Sequence, residues 1–281
     1  MNMKKTLIYH LYCGEDFLDN KANLIHFLCL KKYIKVFDEV IFTIAVDDLS
    51  DNETISAGIS WIMSLGANCE KRIHVKKNND LYEVSTFNDE FLKNYENLDG
   101  MVLFAHNKGT NNFYNPGLNH DSVFNWICAL YYFNFEFIDE VENIFTGKLR
   151  APEVFYGTFL HYFSKERQSW VHAMPNNISG LEYCGTFYWI NIPKYKNCVV
   201  MGVVKKVEPD SRYFAEEYPG MFFDRYAYGC GLASHKDVCL DALTINLYLM
   251  DEDQWDKLFT AMGEYSGVKR FIKEIKEGVE K

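Results

Sequence analysis

The sequence predicts an α/β fold: a mostly parallel sheet with helices on both faces and a C-terminal helical extension. Three observations predict it. Between residues 6 and 105, β-branched and aromatic runs alternate with amphipathic stretches of helix length. Such alternation implies right-handed crossovers and parallel strands. The last stretch, 252–281, is charged and helical in pattern, which suggests a helix pair packed on the sheet. With 281 residues, 48% apolar and 16% aromatic, the chain can bury a sizeable core.

The elements follow in order. Residues 6–13 (TLIYHLYC) read as the first strand. Residues 20–36 read as a helix whose Leu24, Phe27, Leu30, Ile34 and Phe37 form one apolar stripe. Residues 39–46 (EVIFTIAV) are a buried strand. Ile55 to Leu65 is a second helix ending near Gly66, and 70–76 a third strand. Phe87 to Tyr95 is a helix and 101–105 (MVLFA) a strand. Asp121 to Phe135 is an amphipathic helix holding Trp126, capped near Asn119 or Asp121. From 151 to 230 the chain is crowded with Tyr, Phe, Trp and Gly. A single domain is expected.

The net charge of −10 gives no global electrostatic footprint for nucleic acid, though a local basic groove stays open. The eight cysteines show no C-x-x-C pair, which disfavours a zinc or thioredoxin-like site and suggests a reducing, cytoplasmic setting. The N-terminal apolar run is short and soon meets Glu15 and Asp16, so it reads as a strand. No apolar run reaches the ~18 residues of a transmembrane helix.

In open α/β sheets, ligands sit outside the carboxyl ends of the strands. The residues placed there are Tyr12-Cys13-Gly14, Asp47-Asp48, Asn78-Asn79-Asp80 and His106-Asn107-Lys108-Gly109. Carboxylates suit ribose hydroxyls, amides suit a base, and a lysine with a glycine suits phosphates. There is no G-x-G-x-x-G after the first strand and no G-x-x-x-x-G-K-[ST], which disfavours a dinucleotide dehydrogenase and a P-loop. No G-x-S-x-G elbow supports a serine hydrolase. His10, His26, His74, His161, His172 and His235 lack metal-ligand spacing and read as structural or exposed.

Four motifs in fixed order carry a resemblance. They are His106-Asn107-Lys108-Gly109; Trp126 in the following helix; Tyr183-Cys184-Gly185-Thr186-Phe187-Tyr188-Trp189, followed by Tyr195; and Arg212-Tyr213-Phe214-Ala215-Glu216. The chain thereby resembles a GT-A-type (Rossmann-like) glycosyltransferase family of capsule, lipopolysaccharide and viral loci, with patterns H-x-K-G, Y-x-G-N-F-W-W and R-Y-x-A-E. The motifs span roughly residues 100–220; the region before them matches in pattern alone. Thr186 stands where the family has Asn, and Tyr188 where it has the first Trp, which bears on the acceptor more than on the reaction.

The resemblance implies transfer of a sugar from a nucleotide-sugar donor to a hydroxyl acceptor, a surface polysaccharide or other glycan. Residues 1–110 would be the donor-binding half, 111–235 the acceptor and catalytic half, and 236–281 the C-terminal helices. In most GT-A enzymes the strand ends in D-x-D, which holds a divalent metal; here H-N-K stands instead. Lys108 and His106 can neutralise the departing diphosphate directly, and Gly109 admits close backbone approach. No cofactor is required on this reading, although Mn or Mg remains open because Asp47, Asp48 and Asp51 form a loose D-D-x-x-D.

Each candidate has a plainer alternative. His106-Asn107-Lys108-Gly109 could be a solvated turn. Tyr12, Asp47 and Asp48 suit donor recognition, but the aspartates could be a solvated acidic turn. Asn79 and Glu83 could line the donor pocket or cap a helix. Trp126, Gly185, Thr186, Phe187, Trp189 and Arg212 suit an acceptor wall, since sugar C–H faces pack on aromatics, while core packing is the default for such rings. Glu216 is the candidate general base, with Glu217 and Asp224 as rivals. Its alternative is an Arg212–Glu216 surface pair. Other readings of the whole chain are a viral DNA-base glycosyltransferase, a catalytically silent nucleotide-sugar-binding module and a nucleotidyltransferase.

Overall fold

A computed structural model describes residues 2–107, 117–148, 153–162, 181–183, 185–204, 208–209, 212–221, 228–230, 250–261 and 263–281. Its organising element is β1, Lys5–Cys13, buried along almost all its length. Because strand side chains alternate, Leu7, Tyr9, Leu11 and Cys13 enter one core and Ile8 enters the other. β2 (Glu39–Val46) and β4 (Met101–His106) flank β1, and β3 (Glu70–Lys77) lies beyond β2, all parallel. β3 forms one edge, and its Lys71, Arg72, Lys76 and Lys77 charge that edge against pairing with another chain.

The second half changes direction. β8 (Tyr188–Asn191) runs antiparallel to β4, then pairs with β5 (Phe155–Gly157), and β9 (Tyr228–Cys230) lies beyond β5. Among the described residues the main sheet therefore runs β3-β2-β1-β4-β8-β5-β9. Four of its strand pairs are parallel and two antiparallel. β6 (Leu160–Tyr162) and β7 (Leu181–Tyr183) form a separate antiparallel pair. The order 3-2-1-4 reverses between β1 and β4, which makes their carboxyl ends the crevice of the fold.

Helices cover both faces. On one lie α1 (Lys21–Tyr33), α2 (Asn52–Ser64) and α4 (His120–Phe135). On the other lie α3 (Glu83–Thr86), a π-helical turn at Phe87–Leu92, α6 (Ile192–Val200) and α7 (Phe214–Glu217). α5 (Ile138–Phe145) follows α4. Asn20, Asp51 and Asn119 cap α1, α2 and α4 by accepting orphan N–H groups of the first turn. Asp51, read above as part of a loose D-D-x-x-D, is thus a cap.

Two sequence expectations need correction. On α1, Leu24 is exposed and Phe27 only half-buried; the buried face is Ala22, Ile25, His26, Cys29, Leu30 and Tyr33. Polar partners turn the helix. His26 bonds the Tyr131 hydroxyl at 3.0 Å, and Asn23 accepts from Asn107 at 2.9 Å. The C-terminal pair, α8 (Glu252–Ala261) and α9 (Tyr265–Val279), forms as expected but packs on α1 and α4 rather than on the sheet. Val268, Phe271, Ile272 and Ile275 supply the buried stripe of α9, at spacings of one helical turn. The expected boundary at 236 falls outside the described residues. Among the described residues, no helix is long and apolar enough to cross a membrane.

Candidate functional site

The ends of β1 and β4 are tied together by one side chain. Asn107 follows the last residue of β4, and its N–H donates to His10 O at 3.2 Å. Beyond that point its side-chain amide acts as a further peptide unit. Oδ1 accepts from Tyr12 N at 2.9 Å, and Nδ2 donates to Tyr12 O at 2.8 Å. Nδ2 also reaches Asn23 Oδ1 of α1. A buried amide with these partners fixes the floor of the crevice while the chain leaves the sheet.

Tyr12 stands on that floor and donates to Asp47 Oδ2 at 2.7 Å. Asn78 Nδ2 donates to the other oxygen, Asp47 Oδ1, at 3.2 Å. Burial first, and then the Asp47 carboxylate, hold the Tyr12 phenol above its ordinary range. The ends of β1, β2 and β3 thereby share one polar cluster. Asp48 lies outside it: its Oδ1 accepts from Ser50 N at 2.9 Å, a contact that lowers its pKa. Asn79 Oδ1 accepts from Leu81 N at 3.0 Å, so its side chain closes a local turn. Glu83 opens α3 and is half-buried.

His106 ends β4 and is buried. Its Nε2–H donates to Gly185 O at 3.0 Å, which places a proton on that nitrogen. The same peptide is held from the other side, where Gly185 N–H donates to Glu216 Oε1 at 3.0 Å. Glu216 is buried and comes from α7. Gly185 has φ +96°, a left-handed conformation that suits glycine. Thr186 follows at φ +54°, unusual for a β-branched residue, and its buried Oγ1 meets no hydrogen-bond partner among the described residues. The turn is thus a strained loop clamped between an imidazole and a carboxylate.

The acceptor candidates divide. Gly185 and Thr186 lie in this clamped turn. Phe187 and Trp189 are fully buried, and Trp189 Nε1 donates to Asn134 O at 2.9 Å. Trp126 is buried in α4, with its ring beside Gly185. These three rings are core side chains; α4, expected to be amphipathic, is instead buried on all sides from Ser122 to Phe135, and Trp189 points from β8 into the same packed layer. Arg212 is exposed, and its guanidinium lies over the rings of Tyr213 (4.9 Å) and Tyr82 (5.5 Å). Glu216 is held by Gly185 instead of forming a surface pair with Arg212. Lys108, Gly109, Cys184 and Asp224 lie outside the described residues.

His10 and Thr86 were missed as members of this region, whereas Asn78 stands at the strand end where the sequence placed it. His10 is a buried strand residue whose Nδ1 bonds Thr86 Oγ1 at 2.9 Å. In the strand register His10 stands beside His106 on one side and Thr43 on the other, with His74 next to Thr43. Only register, which one strand's sequence does not reveal, makes this row visible. Burial, and secondarily Lys76, pushes the His10 pKa down to about 3. The unfolded chain takes up that proton near the ordinary value of about 6.5. Stability should therefore fall as pH drops below that value, by about 1.4 kcal/mol per pH unit from this residue. Urea unfolding of wild type and His10→Gln between pH 7 and 5 checks it: the variant should show the shallower loss, and equal slopes would refute the assignment.

Among the described residues, no cluster of three or more His, Cys, Asp or Glu stands together to hold a metal ion. Cys13, Cys29, Cys69, Cys128 and Cys198 form no disulfide among the described residues.

No family model matches the sequence, and no curated protein sequence does. Solved structures that share a slight likeness include these two. One is S. aureus TarS 1–349, at 11% identity and TM-score 0.35, covering 95% of this chain and 71% of that one. The other is the mannosyltransferase Ktr4p of S. cerevisiae, at 10% identity and TM-score 0.30, covering 80% of this chain and 63% of that one. Likenesses this slight carry no argument about activity.

Proposed function

We propose that the chain is a glycosyltransferase that moves a sugar from a nucleotide-sugar donor to a hydroxyl acceptor on a polysaccharide or other glycan. One observation supports this reading above the rest: three of the four motifs behind the family resemblance meet at a single peptide. His106 of H-N-K-G and Glu216 of R-Y-F-A-E both hold Gly185 of Y-C-G-T-F. These residues are 79 and 31 positions from Gly185 in the chain. Core packing alone gives no reason for three polar motifs to converge beside the crevice between β1 and β4.

Under this reading the donor lies over Tyr12, Asp47 and Asn107. Lys108 would neutralise the departing diphosphate, with His106 fixing the loop opposite it. Glu216 would take the proton of the incoming hydroxyl. Because the cation is a side chain, transfer should survive chelation. A second reading, a silent nucleotide-sugar-binding module, is favoured by one fact: His106 and Glu216 each already hold a backbone group.

A thermal-shift panel of sugar nucleotides, free nucleotides and nucleoside triphosphates tests the proposal. A ligand bound only by the native state raises the melting temperature by mass action. At a hundred times its Kd, a sugar nucleotide should add about 2.7 kcal/mol of stability. A response to triphosphates alone would point to nucleotidyl transfer. Binding of a sugar nucleotide without transfer or hydrolysis would establish the silent module.

A further inference from the structure

Arg212 is exposed, yet its guanidinium is held in place. It lies over the ring of Tyr213 at 4.9 Å and over that of Tyr82 at 5.5 Å. A ring attracts the cation but neither neutralises it nor uses its N–H fork in ordinary hydrogen bonds. Among the described residues, no carboxylate pairs with Arg212 and no hydrogen bond holds it. Glu216, the nearest candidate along the chain, accepts from Gly185 N–H at 3.0 Å instead.

Tyr82 supports that cation from a strained position, with φ 47° and ψ −126°. Val84 N–H donates to Leu81 O at 3.0 Å, so Tyr82 is the second residue of a tight turn over 81–84. Such a turn normally takes glycine there. The turn itself needs no side chain, so the strain points to a use for the ring. Both ends of the contact lie at the carboxyl edge of the sheet. Tyr82 N–H donates to Asn79 O at 3.0 Å, one residue after the Asn78 amide that holds Asp47. Arg212 and Tyr213 lead into α7, which packs against α3 and carries Glu216.

We propose that Arg212 binds an acidic group of the acceptor, so that the acceptor is an anionic glycan bearing a carboxylate or a phosphate ester. This rests on the glycosyl-transfer reading of the site and deepens it. A planar guanidinium takes a carboxylate or a phosphate through two parallel N–H bonds, and rings that fix its place beforehand reduce the ordering cost. The acceptor is the partner that fits. Arg212 stands four residues before Glu216, the base for the incoming hydroxyl, whereas Lys108 serves the departing diphosphate.

Calorimetry on the full chain tests this with oligogalacturonate, its neutral methyl ester, poly(glycerol phosphate), and the diphosphates UDP, GDP, ADP and CDP. Wild type should bind one of the two acidic polymers at least about tenfold more tightly than the ester, and the tighter one identifies the anion. Arg212→Gln should lose about tenfold or more of that affinity, the scale of a charge-assisted hydrogen bond, while its melting temperature and its affinity for the preferred diphosphate match wild type. Arg212→Lys keeps the charge without the fork and should recover only part of the loss. Tyr82→Leu should weaken the acidic ligand about threefold, the scale of an exposed cation–π contact, and Tyr82→Phe should bind like wild type. Equal affinity of wild type for acid and ester overturns the proposal, and so does unchanged acidic affinity in Arg212→Gln. Equal binding by Tyr82→Leu and wild type overturns the part given to Tyr82. Weaker diphosphate binding in Arg212→Gln, with the acidic glycan unaffected, overturns the proposal by moving the cation to the donor. If wild type binds none of the four diphosphates, the nucleotide-sugar reading itself has failed, which is a distinct result.

Discussion

Glu216→Gln should transfer sugar at least ~100-fold more slowly than wild type while binding the donor equally well, the usual scale for loss of a general base. The substitution isolates chemistry because of the hydrogen bond to Gly185. A glutamine oxygen can still accept the Gly185 N–H that Glu216 Oε1 accepts at 3.0 Å, so the strained turn keeps its clamp. Only the basic oxygen is removed. Glu216→Ala differs, since it leaves the Gly185 N–H buried without its acceptor. That should cost about 1–3 kcal/mol of stability, visible as a lower melting temperature. Donor calorimetry and single-turnover transfer on Glu216→Gln, with melting curves for both variants, separate the roles. Full transfer by Glu216→Gln would reduce Glu216 to a clamp. Lost donor affinity with fast residual chemistry would move Glu216 to the donor side.

The parallel half of the fold was legible because its signals are local. β2 is a continuous run of apolar and β-branched residues, and its bounds 39–46 match the structure. Asn119 announces α4 by its capping chemistry. The strand ends were legible through topology, since ligands in such sheets gather at the carboxyl edge. The Tyr12–Asp47 bond falls at that edge. What stayed hidden depends on long-range pairing. The short strands β5, β8 and β9 hold three or four residues each, too few to show a period. The antiparallel turn of β8 against β4 is set by packing rather than by sequence pattern. The aromatic run 187–189 could not be assigned to wall or core because Phe, Tyr and Trp serve both. Tyr82 gave no signal at all, because its turn would ordinarily have been marked by glycine.

Asn107→Asp should destabilise the protein by about 3–4 kcal/mol near neutral pH, the scale for breaking a buried hydrogen-bonded group and leaving a charge among acceptors. For a chain of this size that lowers the melting temperature by roughly 6 °C or more. The change is nearly isosteric, so packing stays the same and only the donor is lost. Oδ1 can still accept from Tyr12 N. The second oxygen, however, now faces Tyr12 O and Asn23 Oδ1, both acceptors that stood 2.8 and 2.9 Å from the amide nitrogen. A carboxylate repels both, whereas a protonated carboxyl can donate to one. The folded state therefore favours the acid form, and the folded pKa of the new aspartate rises above the ordinary value of about 3.9. Its stabilising form is fully present below that value and is lost as pH rises through the folded pKa. Wild type and variant should accordingly differ least near pH 4 and most near pH 8. Taking the difference at each pH cancels the contribution of His10, which both proteins share. Urea unfolding of the two proteins across this range measures it. A gap that stays constant with pH would mean that the lost interaction is not this donor pair. A gap near zero at neutral pH would mean that the Asn107 amide does not hold the ends of β1 and β4 together. If the amide does hold them, the variant should also bind nucleoside diphosphates more weakly at pH 8, because Tyr12 would no longer be fixed on the crevice floor.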